Sequence, residues 1–174
     1  LVRDSGLAPV YLATADAGDD EIRARIARHQ KRRGDTWRTV EESLALIDVL
    51  TRESKPGHAV LVDCLTLWLS NLMHAERDPE IETRRLTRFL GVALHPIIFV
   101  SNEVGMGLVP ETPLGRAFRD AQGRLNQAVA SAVPNVAFVA AGRPLGLNRD
   151  ANQEIWMTSV PVTVLTGFLG AGKT

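Results

Sequence analysis

Short apolar runs alternate along the chain with longer segments in which apolar residues recur every three or four positions. That alternation is the pattern of a parallel sheet whose strands are joined by helices. Strands are predicted at 10–14, 59–63, 96–101, 136–140 and 160–166, each apolar and rich in β-branched residues. Helices are predicted at 19–33, 41–52, 65–75, 79–90 and 113–133. Asp19, Asp20 and Glu21 suit the positive end of the first helix dipole, and Gly34 closes that helix. From Arg143 to Trp156 no period is visible. This divides the chain into a main domain (1–142), a linker or read-through segment (143–156) and a short tail (157–174). The fold class is α/β, with three layers and a mostly parallel sheet flanked by helices.

Composition narrows the function classes. At 174 residues the chain suits one α/β domain. Twenty basic and twenty acidic residues cancel, so nothing suggests bulk attraction to nucleic acid or to an anionic membrane. Cys64 is the sole cysteine, which excludes an intrachain disulfide and suits a reducing, cytoplasmic setting. No apolar run reaches the roughly 18 residues that a membrane span needs. The first residues lack both Met and the apolar segment of a signal peptide.

Gly167-Phe168-Leu169-Gly170-Ala171-Gly172-Lys173-Thr174 fits the phosphate-binding pattern Gly-x4-Gly-Lys-Thr, directly after a predicted strand. Glycines at 167, 170 and 172 let backbone N–H groups converge on phosphate oxygens. Lys173 offsets their charge and the Thr174 hydroxyl suits Mg²⁺. A helix normally follows such a loop, so the expectation is a phosphate loop that lacks its helix. With it, the fold reads as P-loop NTPase-like.

Further chemistry is expected at the carboxyl ends of strands, where open α/β sheets gather ligands. Asp63 closes the strand 59–63 as a Mg²⁺-organising acid would, although an acid also commonly caps a strand. The turn at Thr14, Ala15 and Asp16 either meets a nucleotide or is a plain turn. Ser101 to Glu111 combines Asn102 and Glu103 with Gly105 and Gly107, and reads as an active-site loop open to close backbone approach, the plainer alternative being a long turn capped by Asn102 and Glu103. His29 lies among Arg25, Arg28, Lys31, Arg32 and Arg33. Neighbouring cations favour a neutral, nucleophilic imidazole and also suit a triphosphate. His29 shares a helix face with Ile22 and Ile26, so a packing role stays open.

An ordered set of motifs ties these pieces together. It runs through Arg25-Ile26 and His29, Trp37-Arg38-Thr39 and Glu41, then Leu61-Val62-Asp63-Cys64-Leu65-Thr66-Leu67-Trp68-Leu69 and Asn71-Leu72. Ser101-Asn102-Glu103-Val104-Gly105-Met106-Gly107 follows, then Phe118-Arg119-Asp120, Gly123-Arg124 and Asn126-Gln127. The set closely resembles the bifunctional adenosylcobinamide kinase/adenosylcobinamide-phosphate guanylyltransferase family of cobalamin biosynthesis (CobU/CobP type), over roughly residues 1–145. The resemblance implies phosphorylation of adenosylcobinamide, then GMP transfer from GTP to adenosylcobinamide phosphate through a GMP-histidine. His29 would be the nucleophile, with Ala13, Thr14, Ala15, Gln30, Lys31, Arg32, Arg33, Glu41 and Asp63 along the nucleotide. It also implies GTP, ATP and Mg²⁺ as cofactors, with Asp63 near the metal, and a homo-oligomer.

One feature departs from the family pattern, which carries a Gly-Gly-Ala-Arg-Ser-Gly-Lys-Ser loop near its start. The expectation is a domain read from a point after that loop, inactive unless another loop replaces it. Residues 163–174 resemble the opening of a CobW-type GTPase, with Met157 as its first residue. Either the reading runs from one gene into the next, or the arrangement is permuted and the terminal strand fills the first strand's place. The competing functions are a CobW-like metal-trafficking GTPase fragment and a nucleotide-binding module without catalysis.

Overall fold

The computed structural model describes residues 5–16 and 36–147, together with the backbone of 162–167. Seven strands form one sheet: β1 (Ala8–Ala13), β2 (Arg38–Glu41), β3 (His58–Asp63), β4 (Ile97–Val100), β5 (Asn135–Ala140), β6 (Arg143–Gly146) and β7 (Val162–Gly167). Their spatial order is β2-β1-β3-β4-β7-β5-β6. Every pairing is parallel except the β5–β6 hairpin. The described helices are α1 (Leu46–Glu53), α2 (Leu65–His74), α3 (Pro79–Leu90) and α4 (Pro113–Ala132).

Period-two side chains explain why the sheet is covered on both faces. Val10, Leu12, Val60, Val62, Ile97 and Phe99 join one buried cluster with Leu46, Leu50, Trp68, Leu72, Leu86 and Leu125 from the four helices. Tyr11, Ala13, Ala59 and Val100 alternate with them and are buried as well. A strand buried on both sides belongs to a sandwiched parallel sheet, which is why these runs read as continuously apolar. The architecture is therefore α/β, a mostly parallel sheet flanked by helices.

Helix starts follow from local chemistry. Asp78 caps α3 by accepting from the Glu80 and Ile81 N–H groups at 2.7 and 3.2 Å, with Pro79 just inside the helix. Thr112 caps α4 in the same way through the Gly115 N–H at 3.1 Å, ahead of Pro113. A Cβ on Gly115 would lie 2.7 Å from the Pro110 Cβ, so only glycine lets the preceding loop close onto this helix. Trp68 anchors the core, fully buried, and its indole N–H donates to the Leu44 carbonyl at 3.0 Å.

Two elements differ from the sequence expectations. Residues 41–52 were predicted as one helix, but Arg38–Glu41 is an edge strand and the helix begins at Leu46. Between them the Glu42 carboxylate accepts from the Leu44 and Ala45 N–H groups at 2.9 and 2.8 Å, forming a turn that separates the two. Residues 143–146, which show no period, form β6. Ala141 and Gly142 both take positive φ, 50° and 72°, the tight hairpin geometry that folds β6 back onto β5.

Candidate active site

Parallel pairing brings the carboxyl ends of most strands to one edge of the sheet. Register aligns Glu41 with Ala13, Ala13 with Asp63, Asp63 with Val100 and Val100 with Leu165. The next polar residues, Thr14, Cys64 and Ser101, therefore emerge side by side. Gly167, the last residue of β7, pairs with Val139 at the same edge. The first glycine of the phosphate-loop motif thus stands in the middle of the sheet, on a strand flanked by β4 and β5.

Between β1 and β3 the edge is tied by a compact polar knot. The buried Thr14 hydroxyl donates to the Cys64 carbonyl at 2.7 Å and accepts from the Cys64 N–H at 2.8 Å. The Thr14 N–H reaches the Asp63 carbonyl at 3.1 Å, and the Asn71 side chain donates to the Thr14 carbonyl at 2.7 Å. Asn71 also donates to the Ser43 carbonyl at 3.1 Å, linking α2 to the turn after β2. Thr14 is thus a staple, and Ala15 and Asp16 are the more open part of its turn. Burial pushes the Cys64 thiol up, which favours the neutral, packed form over the thiolate.

Asp63 remains half-buried at the edge, its Oδ2 accepting from the Tyr11 hydroxyl at 2.6 Å. Trp37 meets the Tyr11 ring edge to face, with centroids 6.4 Å apart, which helps fix the phenol. One carboxylate is therefore held in a defined orientation by a residue two positions before the end of the adjacent strand.

A second network fixes the loop after β4. The buried Ser101 hydroxyl donates to Asn126 Oδ1 at 2.7 Å, and the Gln122 amide donates to both of them at 3.0 and 2.8 Å. Asn126 in turn donates to the Asn102 carbonyl at 3.1 Å and to Glu103 Oε1 at 3.0 Å. The Asn102 N–H and side-chain amide both donate to Thr66 Oγ1, at 2.9 and 3.1 Å. Strand β4, the first turn of α2 and the middle of α4 are thereby locked together around Asn102 and Glu103. A short 3₁₀ turn, Val104–Met106, carries the chain outward. Nothing lies within 4 Å of a Cβ built on Gly105, leaving its backbone open to solvent.

The structure thus gathers Ala13, Thr14, Ala15, Glu41, Asp63, Asn102, Glu103 and the end of β7 at one edge, with Glu41 on the outermost strand. His29, Gln30, Lys31, Arg32 and Arg33 lie outside the described residues, as do Gly170, Gly172, Lys173 and Thr174. The positioning roles of Tyr11, Thr66, Asn71, Gln122 and Asn126 were not anticipated. For the last two a signal exists: a polar pair four residues apart within the buried stripe of Ala121, Leu125 and Val129.

Comparison with known proteins gives this edge a context. A family model described as cobinamide kinase / cobinamide phosphate guanyltransferase matches residues 1–147. The bifunctional adenosylcobalamin biosynthesis protein CobP of Pseudomonas aeruginosa is 46% identical over 149 residues, covering 84% of this chain and 86% of that protein. The corresponding CobU of Escherichia coli is 35% identical over 157 residues, covering 82% and 86%. That of Salmonella typhimurium is 37% identical over 148 residues, covering 76% and 82%. With the match extending over most of its length and through every edge residue up to Asn126, the chain belongs to the CobU family of cobinamide kinases / cobinamide phosphate guanyltransferases.

Proposed function

We propose that this chain phosphorylates adenosylcobinamide and then transfers GMP from GTP to adenosylcobinamide phosphate, with His29 as the GMP-accepting nucleophile. The observation that carries the reading is the convergence of Asp63, the Thr14 turn, the Asn102–Glu103 loop and the end of β7 on one edge, in a chain matching the family over residues 1–147. The cobalamin-biosynthesis names of three relatives support it.

In the guanylyl step, an imidazole nitrogen of His29 attacks the α-phosphorus of GTP. A P–N bond forms while the P–O bond to pyrophosphate breaks, and Lys31, Arg32 and Arg33 offset the charge on the leaving group. A phosphate oxygen of the second substrate then attacks the same phosphorus and frees the histidine. In the kinase step the substrate hydroxyl takes the terminal phosphoryl group of a nucleoside triphosphate. Asp63 is the residue that would hold Mg²⁺. An ion of this kind takes one or two carboxylates beside phosphate oxygens and water, which a single acid at the strand end can serve. Bound there, the ion would offset phosphate charge. The sequence after Gly167 at the end of β7, with Lys173 and Thr174, is assigned to the β- and γ-phosphates, which suits a strand that ends beside β4 and β5.

Incubation with α-³²P-GTP tests the guanylyl step. Acid-labile, base-stable label on the wild-type chain and none on His29→Ala is the expected result. Equal labelling of both removes His29 from the mechanism. GTP hydrolysis without label would instead match the GTPase reading of the tail, and nucleotide binding without pyrophosphate release would match a non-catalytic module.

A further inference from the structure

The carboxylates at the carboxyl edge are held in different ways. Asp63 accepts from the Tyr11 hydroxyl, and Glu41 lies on the outermost strand. Glu103 follows β4, which runs between β3, ending in Asp63, and β7, ending in Gly167. Register sets Val100 level with Asp63 on one side and with Leu165 on the other. The segment from Ser101 to Glu103 therefore leaves the sheet between the acid assigned to Mg²⁺ and the strand assigned to the phosphates.

Only one oxygen of the Glu103 carboxylate is engaged. Oε1 accepts from Asn126 Nδ2 at 3.0 Å, and no other side-chain hydrogen bond or ion pair among the described residues involves Glu103. Asn126 cannot turn away freely, because its Oδ1 accepts from the Ser101 hydroxyl and the Gln122 amide at 2.7 and 2.8 Å. Glu53 and Glu82, by contrast, are paired with arginines. A neutral amide fixes a carboxylate without cancelling its charge, so Glu103 stays half-buried, oriented and able to take a proton at Oε2.

We propose that Glu103 is the general base of the kinase step; this rests on the function proposed above. The substrate hydroxyl oxygen bonds to the terminal phosphorus while its proton passes to Glu103 Oε2. The bond from that phosphorus to the bridging oxygen breaks, and the nucleoside diphosphate leaves. The guanylyl steps call for no such base. A neutral imidazole attacks through its lone pair, and the phosphate oxygen that later displaces it is already anionic. One carboxylate therefore separates the two activities.

Glu103→Gln in the full chain tests this, because it keeps an oxygen for Asn126 and removes the base. Transfer from γ-³²P-ATP to adenosylcobinamide should fall at least about 100-fold in kcat, the scale of losing a general base. Labelling by α-³²P-GTP, and passage of that label to adenosylcobinamide phosphate, should stay at the wild-type level. Glu111→Gln removes an exposed carboxylate from the same loop and should match wild type in all three assays. The proposal is overturned if Glu103→Gln phosphorylates at the wild-type rate or changes KM alone. It is also overturned if all three activities fall together, which would make Glu103 a structural residue. A wild type that accepts GMP but phosphorylates nothing overturns the kinase step and its base together. Selective loss of phosphorylation in Glu103→Gln, from a wild type that GTP does not label, would sustain the base and remove the histidine mechanism.

Discussion

At the amino edge of the sheet the chain turns simply. Gly57 takes a φ of 81° before β3, the His58 N–H closes a turn onto the Lys55 carbonyl at 3.1 Å, and Pro96 leads into β4. At the carboxyl edge the same strands run into buried polar groups. Thr14, Thr66, Ser101, Gln122 and Asn126 are all buried there. The other buried polar residues among those described are ion-paired, Glu53 with Arg38 at the start of β2 and Glu82 with Arg77 and Arg85. Burying a polar group without a partner costs about 1–3 kcal/mol, so a fold places several together only where their geometry is used. The two edges share the same apolar strands, and the hydrogen-bonded polar network at the carboxyl edge is the reason the proposed binding and chemistry are assigned there.

The sharpest way to break this contrast is Asp63→Asn. Phosphoryl transfer from labelled ATP to cobinamide should fall by about 10²–10³-fold, the scale of removing one preorganised electrostatic group. Thermal stability should change little, because an amide oxygen can still accept from Tyr11. Lys55→Ala at the amino edge should alter neither quantity. Retained transfer in Asp63→Asn would remove the carboxylate from the chemistry.

Asn126→Ala comes next. It strips Ser101 and Gln122 of an acceptor and Glu103 of a donor, and should lower unfolding free energy by about 1–3 kcal/mol. Chemical denaturation checks the stability. Transfer activity should fall as well, because the loop holding Asn102 and Glu103 loosens. Unchanged denaturation would mean that water replaces the network at no cost.

The smallest effect concerns Glu42, whose carboxyl is held below its ordinary value of 4.5, first by the Ala45 N–H and then by that of Leu44. A depressed folded-state pKa contributes stability above the unfolded value, and that contribution is lost as pH falls through the folded value. Glu42→Gln should therefore flatten the acid limb of the stability curve below about pH 4.5 and leave the neutral region similar in shape. Thermal melts across that range measure it.

Much of the fold was legible because its strands are buried on both faces. Runs such as Val60 to Val62 and Ile97 to Val100 admit few alternatives, and the Asp78-Pro79 and Thr112-Pro113 pairs announce helix starts. The short elements were not legible. A four-residue edge strand such as Arg38–Glu41 has too little alternation to stand apart from a helix start. β6 owes its existence to a hairpin whose first residue, Ala141, is not one that ordinarily signals positive φ. At the candidate site, the placement of Asp63 and of the Asn102–Glu103 loop at the strand ends was visible from their positions after apolar runs. Tyr11 was not, because a tyrosine in a strand reads as packing until its neighbour across the sheet is known. The Thr14 knot was hidden for the same reason, since its partners lie 50 and 57 residues away.

The position of β7 carries a consequence for how the sheet holds together. Among the described residues it is the sole bridge between β4 and the β5–β6 hairpin. Both of its sides are paired, to β4 through Val162–Leu165 and to β5 through Thr163–Gly167. A strand paired on both sides has no backbone donor to spare, so the hairpin stays joined to the larger part of the sheet only while this ladder is unbroken.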